Sequence, residues 1–165
     1  MERLRKLNDF LSLLLTKCCL ILVLLFTGVV IFQVLARNYI LISVPWTDEV
    51  ALILFVWSVF LGAAVALRKR MHYIVDLFPS SFERTNSFLD LIASLLVLAV
   101  VLVLIYGGSI FAHMGLMRRF SSILVTQSWL FISMPVAGVC MLLFSVENIV
   151  GDFNKFRNAL RKEDA

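Results

Sequence analysis

Long apolar stretches separated by short polar segments form the main pattern of this 165-residue chain. Between Glu49 and Arg68 lie 18 residues without a charge. A helix of that length covers about 30 Å, which matches the hydrocarbon thickness of a bilayer. Three other segments are similarly apolar. The pattern therefore predicts four membrane-spanning helices, at about residues 18–36, 49–67, 89–112 and 129–149.

The composition agrees with an all-α integral membrane protein. Hydrophobic residues make up 61% and charged residues 16% of the chain, against about 45–50% and 25% in soluble domains. The net charge of +4 lies in tails and loops, so it predicts contact with phospholipid rather than with nucleic acid. We expect a single membrane domain over residues 1–165.

The first apolar segment has two rival interpretations. Val34–Ala36 resembles a signal-peptide cleavage site, but the apolar run before it exceeds the roughly 7–15 residues of a signal core. A lipid anchor on Cys18 is disfavoured because Lys17 precedes it, where a small residue is needed. We therefore expect a retained span.

The distribution of Lys and Arg predicts the orientation. Twelve of these residues lie before the first span, between the second and third, or after the fourth, and three lie on the other side. Because Lys and Arg near span ends stay in the cytoplasm, both termini are predicted to be cytoplasmic.

The segments beside the spans are predicted to lie along the membrane surface. Leu4–Lys17 has apolar residues at helical spacing, which favours a helix that begins at the interface. Residues 68–88 are interrupted by Pro79 and predict amphipathic cytoplasmic arm helices. Gly115–Ser128 mixes basic and apolar residues, as expected of an interfacial segment on the outer side.

No catalytic, cofactor or metal site is predicted. The centres of the spans carry no ionisable residue, although ion and proton pathways usually need one. His72 and His113 belong to opposite sides and could not ligate one haem. Cys18 and Cys19 are adjacent and poorly placed to form a disulfide. Cys140, like these two, is interpreted as a small buried residue.

Small residues at helical spacing predict close helix packing. Ser58, Gly62 and Ala66 recur every four positions, and Gly108 and Ala112 repeat that spacing. The alternative is that the glycines act as hinges or line a site.

The segment from residue 45 to residue 76 resembles the small membrane subunit (Q subunit) of TRAP transporters, the tripartite ATP-independent periplasmic uptake systems for organic acids. The resemblance rests on Pro45–Glu49 (PWTDE), on FVW and FLGAA at residues 55–57 and 60–64, and on Arg68, His72 and Asp76.

Membership implies a division of labour in the bacterial inner membrane. A large membrane subunit would carry the substrate and sodium ions, and a periplasmic substrate-binding protein would deliver an organic acid such as sialic acid or a C4-dicarboxylate. This chain would be a non-catalytic scaffold that holds the large subunit and helps the binding protein to dock. The alternative is a stand-alone four-helix membrane protein, either a redox or haem protein or an assembly factor.

Six residues on the predicted outer side are candidates for docking: Arg37, Trp46, Asp48, Glu49, Arg118 and Arg119. The arginines could pair with carboxylates of the binding protein, or instead extend to lipid headgroups. Trp46 could be an interfacial aromatic anchor. Thr47 or Asp48 could cap a helix, with the acids favoured by its dipole, or the acids could fix the outer loops against the large subunit.

On the cytoplasmic side, Arg68, Lys69 and Arg70 are interpreted as an orientation signal that contacts lipid headgroups. His72 and Asp76 are one helical turn apart and could pair with each other. A pH-sensing role for His72 is the further alternative.

Overall fold

A computed structural model of the chain describes residues 2–69 and 83–163, and the regular secondary structure in these ranges is helical. The elements are α1 (Glu2–Leu35) with a π-helical turn (Ala36–Ile40), α2 (Trp46–Arg68), α3 (Glu83–Gly115), the short α4 (Ser128–Phe131) and α5 (Ser133–Glu163).

Four helical segments in the described ranges are long and apolar enough to cross a membrane: Arg5–Ile40, Trp46–Arg68, Leu89–Gly115 and Ser128–Phe153. Each predicted span lies inside one of them. The prediction of an all-α membrane protein with four spans is therefore confirmed. Residues 70–82, which make up most of the predicted arm, lie outside the described residues.

Polar contacts define two ends of the helix bundle. At one end, which we call the loop end, the connections 36–45 and 116–127 lie beside the start of α2. At the other, the terminal end, the first turns of α1 meet the end of α2 and the middle of α5.

The core is small and lies between α2, α3 and α5. Val101 of α3, Ala137 and Phe144 of α5, and Leu61 and Ala64 of α2 are buried. Much of the remaining apolar side-chain surface is exposed, above all on α1 and α3. In a membrane protein such surface faces lipid or another subunit, so it does not weaken the fold.

The first helix packs along one narrow seam. Asn8, Leu11, Leu15, Cys18 and Leu22 are buried or half-buried, whereas Leu7 and Leu14 are exposed. These seam positions alternate three and four residues apart, the spacing of a coiled-coil contact. The segment predicted to lie along the surface, Leu4–Lys17, instead continues into the span without a break, because α1 runs from Glu2 to Leu35.

The connection from α1 to α2 is tight. Leu41 adopts a left-handed conformation with φ 59°, and the N–H of Ile42 bonds the Ala36 carbonyl at 3.1 Å. This closure resembles a helix C-terminal cap that normally contains glycine, and a leucine is unusual there. Pro45 is the N-cap of α2 and makes no side-chain cap bond. The interpretation of Thr47 or Asp48 as the cap is therefore wrong: the Thr47 hydroxyl donates to the Val44 carbonyl instead.

Candidate functional site

At the loop end, the carboxylate of Glu49 holds the 116–127 connection. Its oxygens accept hydrogen bonds from three consecutive backbone N–H groups, those of Ser121 at 2.8 Å, Ser122 at 3.0 Å and Ile123 at 2.9 Å. Consecutive N–H groups that point to one place form an anion-binding concavity. Here the anion belongs to the chain itself, 72 residues earlier.

The same connection is also closed by its own backbone. Phe120 donates its N–H to the carbonyl of Val125, and Gln127 donates to that of Arg118, at 3.1 and 2.9 Å. The base of the loop is joined to α3 by the Ser128 hydroxyl, which donates to the Ala112 carbonyl at 2.9 Å. The segment is thus a braced hairpin-like loop, and Arg118 and Arg119 are exposed on it.

Asp48 and Trp46, which lie in the same Pro45–Glu49 segment as Glu49, contact α1. Asp48 accepts a hydrogen bond from the Gln33 side chain at 2.6 Å. Beside this contact, the rings of Trp46 and Phe32 lie 6.0 Å apart at a tilted angle. Arg37 is exposed above these contacts and, with Asp48, lines a cleft of about 440 Å³ between α1 and the 41–45 connection.

At the terminal end, Arg68 connects three helices. Its guanidinium contacts Asp9 of α1 at 2.6 Å and Glu147 of α5 at 3.0 Å. Glu147 also accepts a hydrogen bond from the buried Asn8 side chain at 2.5 Å. The guanidinium therefore points into the bundle. The sequence pattern predicts instead that Arg68 contacts a lipid headgroup.

A second polar contact at this end joins α3 to α5. The Ser94 hydroxyl donates to Asp152 at 2.6 Å, and both side chains are buried. Lys69, which follows Arg68 in the sequence, is exposed. The other predicted members of the cytoplasmic set, Arg70, His72 and Asp76, lie outside the described residues.

The predicted packing residues divide into two groups. A Cβ placed on Gly108 would lie 2.6 Å from the Met134 Cβ and 2.9 Å from the Pro135 Cδ, so α3 and α5 approach closely there. A Cβ placed on Gly62 would have no atom within 4 Å in the described part of the chain, apart from its chain neighbours and its own helix backbone. The close contact predicted for Gly62 is therefore not made within these residues.

The rest of the predicted stripe is intermediate. Ser58 and Ala66 are half-buried, and the Ser58 carbonyl is 3.9 Å from the Cys19 sulfur. Two further close approaches were not predicted. A Cβ placed on Gly115 would lie 2.7 Å from the Ser128 nitrogen, and one placed on Gly138 would lie 2.6 Å from the Ile105 Cγ1. Ala112 contributes its backbone carbonyl, which accepts the hydrogen bond from the Ser128 hydroxyl.

Asn8 and Glu147 were not predicted as a functional pair. The available signal was the position of Asn8 on the same seam as Leu11 and Leu15, where a polar side chain needs a partner when buried. Among the described residues, no group of three or more His, Cys, Asp or Glu side chains could hold a metal ion.

Comparison with known proteins identifies relatives. A family model described as the DctQ component of tripartite ATP-independent periplasmic transporters matches residues 26–155. The chain is 30% identical over 128 residues to the sialic acid TRAP transporter permease protein SiaT of Haemophilus influenzae (strain 86-028NP), covering 70% of this chain and 19% of that protein.

A second relative is closer in length. The chain is 27% identical over 105 residues to the sialic acid TRAP transporter small permease protein SiaQ of Vibrio cholerae serotype O1 (strain ATCC 39315 / El Tor Inaba N16961). That match covers 63% of this chain and 61% of the relative. The matches thus span less than two thirds of the length of either relative.

Proposed function

Because this chain belongs to the DctQ-component family of tripartite ATP-independent periplasmic transporters and is a small membrane subunit of that kind, we propose that it is a non-catalytic scaffold for a larger transporting subunit. The transporter would lie in the bacterial inner membrane, with both termini of this chain in the cytoplasm. It would import an organic acid, with sialic acid favoured by the names of both relatives, and a sodium gradient would drive uptake.

One observation carries the scaffold proposal. The centres of the spans contain no Asp, Glu, Lys, Arg or His, and the ion pairs at Arg68 and the loop contact at Glu49 lie at the two ends. Carriers normally place charged groups or broken helices at the membrane midplane. A bundle that is apolar in its middle and has its polar contacts at the two ends is suited to holding a partner subunit rather than to moving an ion.

The partner is proposed from the length of the Haemophilus relative. The segment similar to this chain makes up only 19% of that permease. We propose that this chain acts together with a larger membrane subunit that supplies the rest of that function. The open face of α2 around Gly62, where the neighbouring Phe55 and Val59 are exposed, is the surface we propose for that contact, because small residues allow helices to approach closely.

Co-purification tests this contact. The tagged chain, co-expressed with the large subunit, is expected to retain it, and Gly62→Leu is expected to lower the yield of the complex by steric exclusion. Gly107→Leu is the matched control, since Gly107 is equally open but lies on α3. An undiminished yield for Gly62→Leu would assign this face to lipid.

For the binding protein we propose the loop that Glu49 holds. Arg118 and Arg119 are exposed on a braced loop, and planar guanidinium groups suit carboxylates on a transient partner. Charge reversal of each residue should raise the concentration of binding protein that gives half-maximal uptake in the assembled transporter. Unaltered uptake in both variants would show that this loop has no role in docking the binding protein. Arg37, Trp46 and Asp48, predicted with them, line a different surface.

A further inference from the structure

The loop end contains an apolar groove between α1 and α2, next to the polar cleft that Arg37 lines. The groove has a volume of about 340 Å³ and is lined by Leu24, Leu25, Gly28, Val29, Phe32 and Trp46. In the described part of the chain, no atom beyond the local helix backbone lies within 4 Å of a Cβ built on Gly28. The missing side chain at Gly28 therefore helps to keep the groove open.

The groove and the cleft meet at one level of the helix pair. The apolar groove ends at the ring contact between Phe32 and Trp46. The polar cleft begins beside it, where Gln33 donates a hydrogen bond to Asp48. Arg37 follows Gln33 one turn further along the same row of α1 and also lines the cleft. The groove and the cleft thus lie end to end on the surface of the helix pair.

The groove and the cleft together extend over about one leaflet of a membrane. From Leu24 to Arg37, α1 rises about 20 Å, compared with about 15 Å for half of the hydrocarbon thickness. The apolar part is therefore at the depth of acyl chains, and Arg37 is at the depth of headgroups, where Trp46 also belongs as an interfacial aromatic residue.

The two charged side chains that line the cleft, Arg37 and Asp48, favour a particular kind of lipid headgroup. Arg37 is exposed and presents a guanidinium that can bind a phosphate through two parallel hydrogen bonds. Asp48 is also exposed, and its hydrogen bond from Gln33 occupies one carboxylate oxygen, which leaves acceptor capacity for an ammonium group. A cation and an anion in one cleft complement a headgroup that carries both a phosphate and a primary ammonium.

We propose that this groove and cleft form a binding site for one zwitterionic phospholipid of the phosphatidylethanolamine type. An acyl chain lies along Gly28 and Phe32, the phosphate pairs with Arg37, and the ammonium donates to Asp48. The proposal does not depend on the transport function, because its ligand is a component of the membrane.

Native mass spectrometry of the full chain tests the site. The chain is released from nanodiscs that contain equal amounts of phosphatidylethanolamine, phosphatidylcholine and phosphatidylglycerol. One retained phosphatidylethanolamine is expected, because phosphatidylcholine has no N–H donor for Asp48 and phosphatidylglycerol has no ammonium. Arg37→Gln and Asp48→Asn are each expected to lower its retention about fivefold, the effect of one partly exposed ion pair.

Filling the groove provides a second, independent variant. Gly28→Phe should abolish retention of the lipid, and Gly107→Phe, which adds the same side chain to an equally open glycine on α3, should not. Equal retention of the three lipids, or retention that Gly28→Phe leaves unchanged, would overturn the proposal. So would a Gly28→Phe variant that keeps its lipid but no longer co-purifies with the large subunit, since a protein would then cover the groove.

Discussion

At the residue scale, Glu49 shows how one side chain can organise a distant loop. The turn at residues 121–123 directs three N–H groups to one point, and a free turn of that shape would be hydrated or would bind an external anion. Glu49 supplies the anion from the first turn of α2, where the helix dipole also favours a negative charge. The carboxylate thus stabilises the helix start and the loop together.

We predict that Glu49→Gln frees this loop while leaving the helices intact. Glutamine keeps one acceptor oxygen, and its amide group would oppose the N–H donors, so the loop contact should weaken by about 1–3 kcal/mol. Hydrogen exchange of the amides at residues 121–123 should accelerate. Asp48→Asn, which alters a single contact with Gln33, is the control. Unchanged protection in Glu49→Gln would contradict the assigned role.

Glu147 and Asp9 share Arg68 but differ in burial, which allows a matched comparison. The Asp9 side chain is 62% exposed and that of Glu147 is 23% exposed, and Glu147 also accepts from the buried Asn8. We expect Glu147→Gln to lower the free energy of unfolding by about 1–3 kcal/mol, and Asp9→Asn to lower it by less than about 1 kcal/mol. Denaturant titration in detergent measures both, and the reverse order would refute this ranking.

The sequence could predict part of these sites. Asp48, Glu49 and Arg68 are identifiable because charges at the ends of an apolar span are conspicuous. Their partners are not identifiable, since Glu49 binds a loop 72 residues away and Arg68 pairs with Asp9, which is 59 residues away. Such pairs depend on which helices pack together, which a hydropathy pattern does not contain.

At the scale of elements, close approach between α3 and α5 determines how the bundle packs. Gly108 faces Met134 and Pro135, and Gly138 faces Ile105, so each helix contributes a glycine to the contact. Spacing alone predicted Gly108 and Gly62 equally well. It could not distinguish them, because the same small-residue stripe serves a contact within the chain or a surface for another subunit.

We predict opposite results for two adjacent glycines of α3. Gly108→Val should destabilise the bundle by about 1–3 kcal/mol, because its Cβ would overlap Met134. Gly107→Val adds the same atoms to open space on the same helix, so intrinsic propensity effects are shared. Melting temperatures of the two purified variants test this. Equal melting temperatures would mean that the helices can separate at Gly108 without loss.

At the scale of the whole molecule, the four-helix membrane fold was predictable because the bilayer imposes length and hydrophobicity on each span. The continuous α1 was not, since amphipathic spacing in Leu4–Lys17 also describes the packed seam of a longer helix. The orientation, with both termini in the cytoplasm, remains a prediction from the distribution of Lys and Arg.

We propose that this subunit supports transport but does not perform it. Uptake of radiolabelled sialic acid into proteoliposomes with an inward sodium gradient tests it most directly. The chain alone should give no uptake above protein-free liposomes, because its spans have no charged group at their centres. Addition of the large subunit and the binding protein should restore sodium-dependent uptake. Sodium-driven uptake by the chain alone would contradict the account.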